Sequence, residues 1–331
     1  MSDRSELAAA VLAGDRAALA RAITVIERRA SGCRELVGTL HRQGSDVPVV
    51  GITGSPGAGK STIVAELARH HRTNDETIGV IGIDPSSPVS GGAILGDRIR
   101  LGSIMRDPGI FYRSMSTGGA LGGLAPAVPD VVTAFEAAGM DHVFIETVGA
   151  GQSEIDVVGV ADTVAIVLQP GTGDDVQLLK AGILEIGDLF VVNKMDRPEA
   201  DLTVAQLQEA IELNDHDGWT PSIVETTATT GDGIGDLIAA IANHHAQLQT
   251  CDRFEHRRRR RYRNDVKRLV RLAFERRLDD TLADEQAGEL ARRIQRRELD
   301  VHSAATTVAD DVFPPERETG GHNEGHGSCS H

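Results

Sequence analysis

The sequence predicts a doubly wound α/β domain on a mainly parallel sheet, with N-terminal helices before it and a C-terminal helical arm after it. Three observations carry that expectation. From Val47 onward, short β-rich runs alternate with longer helical stretches: VPVVGI, TIGVIGI, GIFYRSM, HVFIE, TVAIVL, LFVVN and SIVET. Strands alternating with helices are the pattern of a parallel sheet. Several runs are apolar nearly throughout, as strands covered on both faces must be. Finally, a chain of 331 residues is long for one domain, which leaves room for helical additions.

Each part follows in order. Residues 1–45 show helical periodicity and no strand signal. Residues 46–249 hold all seven β-rich runs and close with the helix IGDLIAAIANHH. Residues 250–302 turn charged and helical, and their apolar positions (Val266, Leu269, Val270, Leu272, Ala273) recur at helical spacing, so the arm has something to pack against. Residues 303–331 are acidic, rich in Gly and His, and predicted to be disordered.

Composition narrows the function. The formal net charge of −15 argues against a general nucleic-acid binder. No apolar run approaches the ~20 residues that span a bilayer. The opening MSDRSELAAAVLAGDRAALARAI carries charge throughout and reads as an amphipathic helix, not a signal peptide. Three separated cysteines, Cys33, Cys251 and Cys329, point to reduced thiols in a cytoplasm. Aromatic residues make up 3%, so the core must be mainly Val, Ile, Leu and Ala.

The chemistry is concentrated in short loops after strands. GSPGAGKST follows VPVVGI and opens the helix TIVAELARHH. It fits G-x-x-x-x-G-K-S in the strand–loop–helix context that motif requires. Gly54, Ser55, Pro56, Gly57, Ala58 and Gly59 then wrap backbone N–H groups around phosphates at the positive end of a helix. Lys60 is placed to bridge the β- and γ-phosphates, Ser61 to ligate Mg²⁺, and Thr62 completes the loop.

NKMD ends the run LFVVN. A buried carboxylate at Asp196 accepts two hydrogen bonds from guanine and rejects adenine by being left unpaired, so GTP or GDP is the expected ligand. Asn193 and Lys194 belong to the same loop. TTATTGDGI is placed to close over the base, with the N–H of Ala228 or a neighbour such as Thr227 aimed at guanine O6. The run TIGVIGI ends in Asp84, inside DPSSPVSGGAILGDRIR. Asp84 and Asp97 lie there in a Gly- and Ser-rich loop, a candidate switch completing the Mg²⁺ shell, with a helix N-cap for DRIRLGSIM as the rival reading of Asp97.

The stretch ETVGAGQSE differs from the usual GTPase, which carries aspartate at that strand end and glutamine directly after the glycine. Here Glu146 precedes Gly149, and Gln152 follows two residues later than usual. Glu146 can hold a Mg²⁺-bound water as aspartate does, reaching one methylene further.

Together, GSPGAGKST, DPSSPVSGGAILGDRIR, ETVGAGQSE, QPGTGDDVQLLKAGILEIGDLFVVNKMD and the arm beginning RFEHRRR resemble the MeaB/ArgK family across nearly all of residues 1–300. The resemblance implies a P-loop GTPase of the SIMIBI class, whose Mg²⁺ residue is often glutamate, and hence a homodimer joined through the helical arm. It implies a G-protein chaperone of an adenosylcobalamin-dependent acyl-CoA mutase, most often methylmalonyl-CoA mutase. Such proteins gate cofactor loading and guard the mutase, and their slow GTP hydrolysis is faster with the mutase bound. By matching motif, Lys60 and Ser61 bind phosphate and Mg²⁺. Asp84, Asp97 and Glu146 serve the Mg²⁺ and switch chemistry, and Gly149 to Gln152 sense the γ-phosphate. Gly171 to Lys180 resembles a loop that communicates with the mutase. Gln152 is either the residue that orients water or a structural glutamine bonding the loop backbone. No His motif of the mutase cobalamin-binding type occurs, so the cobalamin belongs on the partner.

Two features admit other readings. The tail residues His322, His326, Cys329 and His331 are ligands suited to Ni²⁺ or Zn²⁺, so a metallochaperone is the alternative to a solvated tail. The run HRRRRRYR suits RNA or a solvated or interface-flanking helix face, and the overall acidity with the apolar stripe that follows favours the latter.

Overall fold

In a computed structural model described for residues 3–84, 102, 104–116, 126–147, 157–171, 183–214, 218–250, 253–282 and 284–312, seven strands form one sheet. They are β1 (Val49–Gly54), β2 (Ile78–Asp84), β3 (Ile110–Ser116), β4 (His142–Thr147), β5 (Thr163–Leu168), β6 (Leu189–Asn193) and β7 (Ser222–Thr226). The order is β3-β2-β4-β1-β5-β6-β7. Every pairing is parallel, and each strand coincides with one of the seven β-rich runs. The expected doubly wound α/β fold is therefore present, with no antiparallel strand in the sheet among the described residues.

Two helical layers cover the sheet because the strands alternate between two apolar faces. Val143 and Ile145 of β4 face the layer formed by α1 (Asp3–Leu12), α2 (Arg16–Glu27), α3 (Cys33–Gln43) and a helix over Val128–Ala137. Phe144, between them, joins Val50 and Ile52 of β1 against a helix over Lys60–Arg72 and another over Ile234–Thr250. In chain order these three helices are α4 (Lys60–Arg72), α5 (Val128–Ala137) and α7 (Ile234–Thr250), with α6 at Ala200–Glu212. Local signals set the ends. Asp15 caps α2 by accepting the Ala18 N–H at 2.8 Å, and Pro129 lies in the first turn of α5, where a missing N–H costs nothing. Arg69, His70, His71 and Arg72 fill the last turn of α4, complementing its negative end.

The chain divides into two units, Met1–Asn264 and Asp265–His331. The long helix α8 (Arg253–Thr281) begins in the first and runs into the second, followed by α9 (Asp284–Gln295) and α10 (Val301–Val312). In the second unit, Val266, Leu269, Val270, Phe274 and Leu278 are exposed along α8.

Two sequence expectations need correction. First, α10 occupies residues for which disorder from 303 onward was predicted. Asp300 receives the N–H groups of His302 and Ser303 at 2.9 and 3.0 Å. Ala304, Val308 and Val312, one turn apart, are buried. Cap and stripe together outweigh the polar composition. The His-rich residues beyond 312 lie outside the described residues.

Second, the arginine run at the start of α8 is only half solvated. Arg259, Arg260 and Arg263 are exposed, but Arg258 and Arg261 are buried. Arg257 reaches Asp188 through Nη1 at 2.8 Å and Nη2 at 2.5 Å. Arg258 pairs with Asp46 and lies 3.5 Å from Asp162, and Arg261 lies 3.9 Å from Glu136. The acidic partners are scattered over the sequence, so a reading of the run alone finds no reason to bury it.

Candidate functional site

The parallel sheet collects the carboxyl ends of β1, β2, β4, β5 and β6 along one edge, where ligands bind in folds of this type. Gly54 to Thr62 bridge the end of β1 and the start of α4 there. The turn needs backbone that only glycine adopts freely: φ is +136° at Gly54, +76° at Gly57 and +100° at Gly59. Space is equally restrictive. A Cβ at Gly54 would lie 2.0 Å from the Val167 carbonyl oxygen, and one at Gly59 would lie 2.2 Å from Asn193 Nδ2.

Lys60 is 5% exposed. Its Nζ donates to the carbonyl oxygens of Gly54 at 2.7 Å and Ser55 at 2.8 Å. The ammonium is thereby held inside the curve of the loop, where phosphate charge would arrive. Ser61 Oγ donates to Glu146 Oε1 at 2.5 Å. This contact joins the helix after the phosphate loop to the acidic strand beside it, since Ile52 of β1 pairs with Glu146 of β4. A second tie, from Thr147 Oγ1 to Thr53 Oγ1 at 2.8 Å, lies beside it in the core.

Ser61 and Glu146 offer hard oxygen atoms of the kind Mg²⁺ prefers, and the buried Ser55 hydroxyl makes no hydrogen bond among the described residues. The residues present therefore fit a phosphate with its Mg²⁺. Asp84 ends β2, whose Gly82 pairs with Glu146, so its backbone lies on the same edge. Asp97, Gly149, Gln152 and the segment after Gly171 lie outside the described residues.

The base-side residues are organised around Asn193. Its Nδ2 donates to the Ala58 carbonyl oxygen at 2.7 Å, and its Oδ1 accepts from Thr226 Oγ1 at 3.1 Å and Ala228 N–H at 3.0 Å. Thr227 N–H donates to the Asp232 carbonyl oxygen at 3.0 Å. The N–H groups of Thr227 and Ala228, expected to reach guanine O6, make hydrogen bonds that frame this loop. Asp196 departs from expectation as well. It is exposed, not buried, because the chain leaves the sheet at Lys194, where φ is +65°, and turns outward. Its carboxylate is at the surface, accessible to a base.

Sequence reading missed Gln169. It follows β5 and accepts from Lys194 Nζ, which also donates to the Gly57 carbonyl oxygen at 2.5 Å. Lys194 thus props the phosphate loop from the base side. A polar residue directly after the apolar run VAIVL was the available signal.

The fold and this loop define a P-loop nucleoside triphosphatase. The chain belongs to the family described as methylmalonyl Co-A mutase-associated GTPase MeaB, whose sequence pattern it matches over residues 19–283. A GTPase of Pyrococcus abyssi is 42% identical over 304 residues, covering 91% of this chain and 94% of that one. The GTPase ArgK of Escherichia coli is 34% identical over 251 residues, covering 73% and 76%. In fold, the chain is similar to the crystal structure of an LAO/AO transport system kinase, with TM-score 0.68, 23% identity, and coverage of 94% of this chain and 99% of that one. No helix among the described residues is long and apolar enough to cross a membrane.

Proposed function

We propose that this GTPase serves an adenosylcobalamin-dependent acyl-CoA mutase, methylmalonyl-CoA mutase or a close relative, gating cofactor loading and protecting the mutase from inactivation. The observation that carries the reading is membership, over most of the chain, in a family described as mutase-associated. Its hydrolysis of GTP is slow alone and faster when the mutase is bound.

Lys60 meets the β- and γ-phosphates, exchanging its two carbonyl contacts for charged oxygens. Ser61 and Glu146, already paired at 2.5 Å, would hold Mg²⁺, joined by Asp84 and Asp97 from the switch loop. Bound Mg²⁺ neutralises charge on the transferring phosphoryl group. Gly149 and Gln152 sense the γ-phosphate, Asp196 selects guanine, and Gly171 to Lys180 carries the signal to the mutase. The apolar residues exposed along α8 support a homodimer joined through the arm.

Steady-state GTP and ATP hydrolysis, with and without a purified mutase of this class from the same source, tests the proposal. GTP hydrolysis accelerated by the mutase, with no ATP hydrolysis, is the expected result. GTP hydrolysis indifferent to every such mutase rejects the client and turns attention to Ni²⁺ or Zn²⁺ delivery through the His-rich tail.

A further inference from the structure

Three side chains from separate segments converge at the edge of the sheet away from the phosphate loop. His71 lies in the last turn of α4, Glu76 in the loop entering β2, and His142 at the start of β4. His71 Nδ1 lies 2.6 Å from Glu76 Oε2, and His142 Nε2 lies 3.6 Å from the same oxygen. One nitrogen from each imidazole and one carboxylate oxygen lie within 4.8 Å of one another, and the two ring centroids are 4.0 Å apart.

The backbone holds the carboxylate in this position. Asp75 has φ +60°, and the Glu76 N–H returns to the His71 carbonyl oxygen at 3.3 Å. Arg72 Nη1 donates to the Glu76 carbonyl oxygen at 2.8 Å while its Nε is fixed by Asp107 at 2.9 Å.

We infer that His71, Glu76 and His142 form a binding site for one divalent ion of the zinc class, with a coordination position left open. A hydrogen bond explains the short contact between His71 and Glu76, but it gives no reason for a second imidazole against the same oxygen. A tetrahedral Zn²⁺ with bonds of about 2.0–2.1 Å separates its ligand atoms by about 3.3 Å, and the two contacts to Glu76 Oε2, at 2.6 and 3.6 Å, bracket that spacing. Two imidazoles and one carboxylate favour Zn²⁺, Co²⁺ or Ni²⁺ over Mg²⁺ or Ca²⁺.

Coordination requires neutral imidazole. The side chains of His71, His142 and Glu76 are 12%, 24% and 35% exposed, which leaves access for water as a further ligand. The ion would fasten the end of α4 to the start of β4. The opposite ends of these two elements carry Ser61 and Glu146, so the clasp would brace the pair from behind.

The test is calorimetric titration of Zn²⁺ into the full chain carrying His322→Ser, His326→Ser, Cys329→Ser and His331→Ser, which removes ligands in the tail. One Zn²⁺ per chain is expected, with a rise in Tm on binding. Adding His71→Ala or His142→Ala is expected to weaken binding by at least ~100-fold, since losing even an outer-shell partner costs about 10–100-fold. Glu76→Gln keeps a neutral partner for His71, preserving the zinc-free Tm while weakening Zn²⁺ binding. Co²⁺ is expected to give visible absorption that disappears in His142→Ala. Absence of Zn²⁺ uptake, or uptake unchanged by the three substitutions, would show a hydrogen-bonded cluster only and overturn the inference.

Discussion

Asn193 and Ala58 are joined by a 2.7 Å hydrogen bond from the side-chain amide to the main-chain carbonyl, and the same side chain receives the Ala228 N–H. One residue thus fastens the phosphate loop to the base-side loop. Asn193→Ala removes three hydrogen bonds to backbone and hydroxyl groups, at about 0.5–1.5 kcal/mol net each. Urea unfolding is expected to show a loss of roughly 2–4 kcal/mol, with weaker GTP binding measured by calorimetry.

Lys60 sits inside the phosphate loop on two carbonyl oxygens. Lys60→Ala removes the positive charge that meets the transferring phosphoryl group, and phosphate release is expected to fall by about 10²–10³-fold. Hydrolysis within tenfold of the parent chain would mean that another cation serves the phosphates.

The contact between Ser61 and Glu146 depends on the length of the glutamate. Glu146→Asp withdraws the carboxylate by one methylene, so the Mg²⁺ concentration giving half-maximal GTP hydrolysis is expected to rise several-fold. An unchanged Mg²⁺ dependence would separate Glu146 from the metal.

Burial raises the Glu136 pKa to about 7, although Arg261 and Arg258 oppose it. A carboxyl that keeps its proton when folded and loses it when unfolded stabilises the fold at low pH. That contribution is full below about pH 4.5 and is lost as the pH rises to about 7. Its upper bound is about 3 kcal/mol. Glu136→Gln cannot ionise, so denaturant midpoints at pH 5 and pH 8 are expected to show the parent chain losing stability relative to this variant.

Arg257 and Asp188 make a paired, two-armed contact, and Asp188 also accepts the Val164 N–H at 2.9 Å. Arg257→Ala leaves that buried carboxylate without its cation, a loss of about 3–5 kcal/mol. Since neither residue touches the phosphate loop, GTP turnover per folded molecule is expected to stay near the parent value, measured by thermal unfolding alongside phosphate release.

All seven strands were legible in the sequence because they alternate with helical stretches and several, covered on both faces, read as nearly unbroken apolar runs, and the glycines around Lys60 announced the phosphate loop. What escaped notice depended on contacts distant in sequence. The bond between Ala228 and Asn193 spans two loops, and the burial of Arg258 depends on Asp46 and Asp162, neither of which lies near it in the chain. Asp196 was expected to be buried because its role was inferred from a bound base, whereas its exposure follows from the turn at Lys194. The helix at 301–312 was hidden by polar residues surrounding a stripe of only three small side chains.

The sheet has an electrostatic polarity that divides the effects of mutation. Its carboxyl edge carries the loop chemistry of Lys60, Ser61 and Asn193, while its amino edge carries the paired charges of Asp162, Asp188 and the α8 arginines. In a random-substitution library, changes at the first edge should uncouple turnover from abundance, whereas changes at the second should lower both in proportion. A plot of one against the other would therefore recover the orientation of the strands from phenotypes alone.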